Sequence, residues 1–373
     1  MTPDESVEFL ADYTSSNACK HIYLVTGKTS FRLSGAENAL SSYLKSVPKL
    51  SHFDSVPKNP HIESVELAAG VANGTAPDLI IAIGGGSAMD LAKALALRLA
   101  SGKSAEECLA PEVAQSTTPL PLIAIPTTTG TGSEVTRFAV IYRGKTKHSI
   151  SSPDLIPKHA LLVPEFTLAQ PPLVRRAAAF DALTQACESF WAQHSTHASE
   201  QHALEAIELL TPRLATGLQP FGLDDAHDVQ LGSHLAGKAI DTTRTTAPHA
   251  LSYALTMDYG VDHGHAVGLL FPKIWRLHLD LDARQKLPEA LKKRMKTLSD
   301  ALGVGAPQDV PAFWEGLLTS NELNFRFTDL GIKTREQWSV LYKRVNVERL
   351  SNHPCSLTMS DLDRLWNFEI TPR

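Results

Sequence analysis

The sequence has few cysteines and does not space them as a covalent framework would. Its four cysteines, Cys19, Cys108, Cys187 and Cys355, lie far apart and form no CxxC pair. Disulfide-rich secreted domains and zinc ribbons place cysteines in short, regular spacings. Neither class is expected here, so we predict reduced thiols and a cytoplasmic location.

Long apolar runs and a strong excess of either charge are also missing. No stretch reaches the roughly 18 to 20 apolar residues of a membrane-spanning helix. The start, MTPDESVEFLADY, is polar and acidic and lacks the order of a signal peptide. The formal net charge of −5 provides no general attraction for nucleic acid or anionic lipid. We therefore predict a small-molecule ligand, with no nucleic-acid or membrane partner.

The 373 residues do contain two regions of different pattern. In the first, helical spacing alternates with the strand-like runs HIYLVTG, LSHFDSVP, DLIIAIGGG and PLIAIP. This order favours a parallel sheet covered by helices, and the fully apolar run DLIIAIGGG is typical of a strand buried on both faces. Later segments show helical spacing almost alone. We predict an α/β domain with a Rossmann-like parallel sheet over residues 1–165 and an all-helical domain over residues 166–373.

Two loops of small residues follow neighbouring strands of the predicted sheet. Residues 84–87 (GGGS) open a helix, and residues 127–133 (TTTGTGS) follow the next strand. Glycines let a backbone approach a phosphate, and free N–H groups at a helix start attract its charge. The spacing matches neither GxGxxG nor a GKS/GKT box, and two ordinary tight turns are the alternative. Because both loops follow the carboxyl ends of adjacent strands, we favour a dinucleotide site.

A carboxylate and several imidazoles form a candidate metal site in the helical region. Asp181 and Gln185 are four residues apart, so they share one helix face. His249 and His263 follow, the latter at a predicted loop-to-helix junction. A carboxylate with two or three imidazoles is typical of Zn²⁺ or Fe²⁺ sites. The chain has 15 histidines, so the spacing alone favours a chance grouping over a site.

Over roughly residues 20–370 the sequence resembles the iron-containing (group III) alcohol dehydrogenase family. The matching stretches are PDLIIAIGGGSAMDLAKA, PLIAIPTTTGTGSEVTRFAVI, FDALTQACESFWA and APHALSYALTMDYGVDHGHAVGLLFP. The resemblance implies a dehydroquinate synthase-like fold with a dinucleotide-binding domain and a helical metal-binding domain. It also implies NAD(P)H, a divalent Fe²⁺ or Zn²⁺ ion, and a homodimer.

The resemblance assigns roles residue by residue. It places Asp181, His249 and His263 on metal-ligand positions. Gln185 stands where the family usually has a histidine ligand, and its neutral amide should bind a transition metal more weakly. Tyr253 stands where many members have a proton-relaying histidine; a phenol with a pKa near 10 is a donor rather than a base. The implied cofactor-binding residues are Gly27, Lys28, Asn59, Gly85, Gly86, Ser87, Thr127, Thr128, Thr131 and Lys147.

A narrower resemblance points to the substrate. The helix DALTQACESFW and the stretch TTAPHALSYALT are similar to those of phosphonoacetaldehyde reductases, in which the Gln and Tyr replacements belong to the pattern. This implies that the enzyme reduces a small anionic aldehyde, phosphonoacetaldehyde, to 2-hydroxyethylphosphonate by metal-polarised hydride transfer. Arg137, Lys238 and Arg244 are cationic candidates for binding the phosphonate. The alternative for Lys238 and Arg244 is a solvated helix end.

Other functions remain open at this stage. The chain could act on another short-chain aldehyde or alcohol, or work without metal as maleylacetate reductases do. It could also be a nucleotide-binding protein that lost catalysis through the changes at Gln185 and Tyr253. A lyase like dehydroquinate synthase lacks support in the matched motifs. Members selective for NAD tend to carry an acid where Gly27 lies, and Lys28 could pair with a 2′-phosphate, so the sequence favours NADPH.

Overall fold

A five-stranded parallel sheet organises the N-terminal part of the chain. The structure, a computed structural model, describes residues 1–144, 146–343, 345 and 350–370, without the side chains of residues 369 and 370. By internal contacts the chain divides into two units, Met1–Gln170 with Gly222–Gln230, and Pro171–Phe221 with Leu231–Arg373. The two units are described in turn.

The strands of the first unit follow the order β2-β1-β3-β4-β7 in the sheet. Their bounds are β1 His21–Thr26, β2 Lys49–Phe53, β3 Leu79–Gly84, β4 Leu122–Pro126 and β7 His159–Ala160. In the register, Gly84 of β3 lies beside Pro126 of β4, so these two strands end at the same level. The predicted glycine and threonine loops therefore leave the sheet side by side.

Helices cover both faces of this sheet. They are α1 Pro3–Ser16, α2 Ser30–Leu33, α3 Ala36–Ser46, α4 Ile62–Val71, α5 Gly86–Ser101 and α6 Pro111–Ser116. Because side chains alternate along a strand, Tyr23 and Ile80 join a core with Leu91 of α5, whereas Leu24 and Ile81 join a second core with Leu40 of α3. Strand β3 is thus buried on both faces and apolar along its whole length, as the sequence predicted.

A separate antiparallel hairpin was not predicted. It consists of β5 Phe138–Arg143 and β6 Thr146–Ser151, paired from Phe138↔Ser151 to Arg143↔Thr146. The sequence analysis also missed α1, whose capping box joins Thr2 and Glu5, and the two-residue strand β7. Short 3-10 turns lie at Glu107–Leu109, Ser133–Val135, Pro153–Leu155, Pro164–Thr167, Pro307–Asp309 and Thr328–Leu330.

The second unit is helical, with no strand among its described residues. Its helices are α7 Pro172–Trp191, α8 His197–Ala215, α9 Leu223–Thr243 (whose first turns belong to the first unit), α10 Ala247–Tyr259, α11 His263–Ala283, α12 Glu289–Ala301, α13 Val310–Ser320, α14 Arg335–Tyr342, and the short Met359–Arg364 and Asn367–Ile370. The parallel sheet and the helical unit confirm the predicted fold class. Within the described chain, no helix is both long and apolar enough to span a bilayer.

Helix α7 is buried along almost its whole length and lies in the core of the second unit. At its end Trp191 stacks on Phe271 of α11 with ring centroids 5.2 Å apart, and Phe271 stacks on Trp314 of α13 at 4.0 Å. Asp181, Gln185 and Glu188 lie in this apolar setting. Buried polar groups of this kind require partners, and those partners define the candidate site.

Candidate metal and dinucleotide sites

Asp181, His249 and His263 converge from three different helices. One ligand atom from each lies within 4.8 Å of the others. The Oδ1 atom of Asp181 is 3.2 Å from Nε2 of His249 and 3.9 Å from Nε2 of His263. Asp181 and His249 are 3% and 2% exposed, whereas the His263 side chain is 35% exposed. The cluster is therefore buried on one side and open to solvent at His263.

The two histidines occupy the first turns of their helices. His249 follows the Ala247–Pro248 start of α10, and His263 is the first residue of α11. Next to it, Gly264 makes the approach of α11 to α7 feasible. A Cβ atom on Gly264 would lie 1.9 Å from the carbonyl oxygen of Ala177 and 3.1 Å from the Cβ of Asp181.

Gln185 completes a donor set that fits a divalent metal. It lies one turn after Asp181, is 4% exposed, and its side chain hydrogen-bonds to Asp181. Its Oε1 atom has no hydrogen-bond partner in the described part of the chain. Leaving a buried acceptor unpaired costs about 1–3 kcal/mol, and a bound cation would remove this penalty. One carboxylate, two imidazoles and one amide oxygen suit Fe²⁺ or Zn²⁺.

Glu188 orients His249, and sequence analysis missed it. This fully buried carboxylate accepts a hydrogen bond from Nδ1 of His249 at 2.5 Å. It also accepts bonds from the hydroxyl of Thr246 at 2.8 Å and from the Thr246 backbone N–H. A carboxylate on Nδ1 fixes the tautomer and directs the Nε2 lone pair toward the metal position. The sequence did offer an indication of this role, because Glu188 lies seven residues, or two helical turns, after Asp181 and therefore on the same helix face.

The charges in this cluster favour a cation at its centre. Burial alone lowers the pKa of His249, but the carboxylates of Glu188 and Asp181 more than offset this and raise it to about 9. Burial likewise raises the pKa of Asp181, but hydrogen bonding to His249 and the charges of His263 and His249 bring it below its ordinary value. Without metal, the protonated ring of His249 donates its Nδ1–H to Glu188 and its Nε2–H to Asp181. Metal binding requires the Nε2 proton to leave, whereas the Nδ1 proton stays in the hydrogen bond to Glu188.

Replacing Glu188 by glutamine is expected to weaken metal binding by roughly 10- to 100-fold, because the imidazole loses its charged orienting partner. Metal affinity, measured by competition with a chromogenic chelator, tests this. The control is Glu315→Gln, which removes a partly buried ion pair with Arg276 in the same unit. That control should lower stability but leave metal affinity unchanged. Wild-type affinity in Glu188→Gln would contradict the orienting role.

Tyr253 and His265 lie close to His263 in the chain or in space. Tyr253 of α10 stacks on His263, with ring centroids 6.3 Å apart and planes 10° apart. Its relay role stays a prediction. His265 instead bonds through Nε2 to the carbonyl oxygen of Asn324 at 2.6 Å, and it does not belong to the clustered ligand set.

Two of the three cationic candidates, Lys238 and Arg244, lie at the surface of the second unit. Lys238 is exposed on α9, and Arg244 is exposed in the turn between α9 and α10. Arg244 has a φ of +61°, a left-handed conformation that is uncommon for a side chain with Cβ. Asn352 stabilises the turn, because its Nδ2 donates to the carbonyl oxygens of Thr243 at 2.8 Å and Thr245 at 3.1 Å. Arg137 belongs to the first unit, just before β5.

In the first unit, the glycine and threonine loops are in contact. A Cβ on Gly85 would lie 2.9 Å from Oγ1 of Thr128, and one on Gly86 would lie 2.8 Å from Oγ1 of Thr131. Only glycine permits this approach. Helix α5 starts at Gly86 without a side-chain cap, so its first N–H groups are available to an anion.

Two hydroxyls of the threonine loop are candidates for contacts with a bound cofactor. The hydroxyls of Thr127 and Thr129 are buried and lack hydrogen-bond partners among the residues described. Ser87 donates to the backbone oxygen of Lys58, next to the exposed Asn59. Uncapped N–H groups and unpaired hydroxyls together fit the phosphates of a dinucleotide.

The other predicted cofactor residues lie in three places. Gly27 and the exposed Lys28 directly follow β1, at the same sheet edge as the two loops. Asn59 lies in the segment after β2. Lys147 lies on β6, and its charge acts on the carboxylate of Asp90.

Asp90 and Lys93 hold the second loop in place, which sequence analysis did not anticipate. Lys93 is fully buried, and its Nζ donates to the backbone oxygens of Thr136 at 2.6 Å and Phe138 at 2.8 Å. Asp90 accepts from the Ser133 hydroxyl at 2.6 Å. Burial raises the pKa of Asp90, and the charge of Lys93 opposes that shift. The pair anchors the loop to α5.

Comparison with known proteins gives consistent matches along the chain. Residues 2–164 match the iron-containing alcohol dehydrogenase family, and residues 176–365 match the Fe-containing alcohol dehydrogenase family, C-terminal. A phosphonoacetaldehyde reductase of Streptomyces viridochromogenes is 32% identical over 77% of this chain and 75% of its own length. Long-chain-alcohol dehydrogenase 1 of Geobacillus thermodenitrificans is 33% identical over 61% of this chain and 56% of its own.

A solved structure of similar shape is sulfoacetaldehyde reductase from Bifidobacterium kashiwanohense in complex with NAD⁺. It is 26% identical, with a TM-score of 0.87, and the match covers 98% of this chain and 95% of that one.

Proposed function

This chain belongs to the iron-containing alcohol dehydrogenase family and is an NAD(P)-dependent oxidoreductase, and we propose that it reduces a small anionic aldehyde, with phosphonoacetaldehyde as the first candidate. The product of that reaction would be 2-hydroxyethylphosphonate. The family predicted from the sequence is confirmed. The substrate rests on the arguments that follow.

The observation that best supports a metal-assisted reduction is the convergence of Asp181, His249 and His263 beside the unpaired Oε1 of Gln185. These four residues would hold the divalent ion. Such an ion supplies Lewis-acid polarisation of a carbonyl oxygen. Glu188 keeps His249 in the ligating tautomer. The side of the cluster at His263 is partly exposed, and a substrate would enter from this side.

The nicotinamide cofactor supplies the hydride when it is bound. In the proposed complex the loops containing Gly85 and Thr128 bind its phosphates through backbone N–H groups and hydroxyls. Position 27 is glycine rather than an acidic residue, and the adjacent Lys28 can pair with a 2′-phosphate, which supports NADPH. In the proposed complex Tyr253, which stacks on His263, would return a proton to the product oxygen.

Two features support an anionic substrate. The exposed Arg244 and Lys238 can pair with a phosphonate, and a guanidinium can do so through two parallel hydrogen bonds. The turn at Arg244 directly precedes Thr246, the partner of Glu188. By name, two of the similar proteins reduce phosphonoacetaldehyde and sulfoacetaldehyde, which are aldehydes with an anionic group. A positioned anion would hold the reacting carbon in place.

Turnover of phosphonoacetaldehyde by the metal-loaded enzyme is expected to exceed that of butyraldehyde, a neutral aldehyde. Arg244→Gln and Lys238→Gln should each lower kcat/KM for phosphonoacetaldehyde by roughly 10- to 100-fold, the value of a charge-assisted hydrogen bond of about 1.5–3 kcal/mol. Butyraldehyde kinetics should not change. Lys296→Gln, an exposed cation paired with Asp300, is the control and should affect neither substrate.

Each other outcome of this assay has a definite meaning. A preference for butyraldehyde would make the substrate assignment wrong. Full activity after chelation would favour a metal-free enzyme of the maleylacetate reductase type. No oxidation of NAD(P)H with any aldehyde would favour a nucleotide-binding protein without catalysis. A higher kcat/KM with NADH than with NADPH would contradict the role of Lys28. The homodimer and the cytoplasmic location stay predictions.

A further inference from the structure

We propose that His278, His353 and Cys355 form a second metal site that binds Zn²⁺ or a similar thiophilic divalent cation. His278 lies on α11, and His353 and Cys355 lie in the segment before Met359–Arg364. One ligand atom from each lies within 4.8 Å of the others. The three residues are 0%, 1% and 8% exposed. They share no residue with the Asp181 cluster.

The chemistry of these donors suits a thiophilic cation. Two imidazole nitrogens and one thiolate sulfur form a donor set that zinc prefers over hard cations. Burial lowers the pKa of His278 to about 3, and burial with the neighbouring His278 lowers the pKa of His353 well below its ordinary value. Both rings therefore stay neutral, as a metal ligand must be. Burial raises the pKa of the Cys355 thiol to about 12, so metal binding would convert the thiol to thiolate and release one proton to solvent.

The geometry needs only a small adjustment. The Nε2 atoms of His278 and His353 lie 2.8 Å apart. Two imidazole nitrogens on one tetrahedral zinc would be about 3.3 Å apart, given Zn–N bonds of about 2.0–2.1 Å. In the described structure the Nδ1 atoms of both rings have no hydrogen-bond partner. The rings are thus positioned by packing. Metal binding would replace the Nε2–Nε2 hydrogen bond, and the ring that donates in it would carry its proton on Nδ1 instead. A separation of roughly 0.5 Å breaks no other hydrogen bond of the imidazoles.

A cavity provides an entry path to these residues. It has a volume of about 630 Å³ and is lined by Cys355, Ser356, Arg284, Lys286 and Arg364 among others. Cys355 lines this cavity, and His278 and His353 do not. In the proposed site a water or a small anion would approach the fourth coordination position from the side of Cys355. A site with three protein ligands and one exchangeable position is a common arrangement for zinc.

The proposed ion would stabilise a segment that also supports the Arg244 turn. It would join α11 to a segment 75 residues further along the chain. Asn352, next to His353, donates to the carbonyl oxygens of Thr243 and Thr245. The backbone oxygen of His353 accepts a bond from Gln193 at 2.9 Å, at the end of α7. We expect metal binding to raise the melting temperature without supplying chemistry to the reaction.

Cobalt substitution separates the two sites, because only the second has a sulfur ligand. The metal-free wild-type chain titrated with Co²⁺ is expected to bind two equivalents and to show a thiolate-to-cobalt charge-transfer band in the near ultraviolet. Asp181→Ala should bind one equivalent and keep the full band. Cys355→Ser should also bind one equivalent but lose the band. Cys187→Ala, a buried thiol of the same unit outside the described clusters, is the control and should keep it.

The test does not depend on the folding of one variant. In Asp181→Ala, which retains Cys355, added Zn²⁺ should raise the melting temperature in proportion to occupancy. Absence of the band in wild type and Asp181→Ala would overturn the proposal, as would a band that persists in Cys355→Ser. Since the aldehyde assay depends on the first site, failure of the second site leaves the proposed function intact.

Discussion

Replacing Asp181 by alanine is expected to lower kcat/KM by roughly 10³-fold or more and to remove one bound metal equivalent. Asp181 is the single carboxylate among the proposed ligands, and its Oδ1 faces both His249 and His263. Loss of the metal forfeits several kcal/mol of transition-state charge stabilisation, and each 1.36 kcal/mol corresponds to a factor of ten. Metal content by mass spectrometry and steady-state kinetics, measured on the same preparation, test this.

Two comparisons make the result specific. His263→Ala should act in the same direction, because it removes a second ligand while leaving the buried pair of Asp181 and Glu188 around His249. Asp300→Ala, a surface carboxylate paired with Lys296, should change neither metal content nor rate. Unchanged turnover and metal content in Asp181→Ala would refute the proposed site.

Gly264→Ala is expected to be the most damaging single methyl addition near the site. The new Cβ would lie 1.9 Å from the carbonyl oxygen of Ala177, which is backbone and cannot rotate away. Helix α11 must therefore shift by more than about 1 Å, and His263 at its start moves with it. Such overpacking costs about 1–3 kcal/mol, and a ligand displacement of about 1 Å can reduce the rate by roughly 10²-fold. Thermal unfolding, metal content and kcat test the three effects together.

Gly316→Ala is the matched control, since Gly316 is also a helical glycine of the second unit. It is exposed on α13, and a Cβ there meets no atom within 4 Å. Alanine should stabilise α13 by about 0.5–1 kcal/mol because it has the higher helix propensity. Metal content and rate should not change. If Gly264→Ala behaved like this control, the close approach of α11 to α7 would not exist.

The elements that sequence predicted well are those with strong local patterns. The fully apolar run of β3 reflects burial on both faces of the sheet, and the apolar residues of α5 pack into the core on one of those faces. The hairpin β5–β6 and the two-residue β7 were missed because their stability comes from pairing with other strands. Helix α1 was missed because the polar, acidic start was considered only as a possible signal peptide, although Thr2 and Glu5 form a capping box there.

In the candidate site, too, the residues with local patterns were predicted and those that depend on tertiary contacts were missed. Residue type, helix spacing and family resemblance together identified Asp181, Gln185, His249 and His263. Glu188 was missed although it lies two turns from Asp181, because its partners Thr246 and His249 belong to another helix. The need for glycine at position 264 depends on which backbone crosses it, and nothing local to the residue indicates Ala177. These remain positions to be tested by the variants above.

By itself the sequence determined the parallel sheet, the helical second region, the two phosphate-type loops and the kinds of metal-binding groups present. Periodicity and residue chemistry are local properties, so they can be recognised without coordinates. Only the tertiary structure decided which of the 15 histidines meet a carboxylate or a thiol. It also showed that Gln185 has an unpaired oxygen and that His278 lies beside His353. Such contacts arise when helices distant in sequence pack together, and spacing within one helix contains no information about its neighbour.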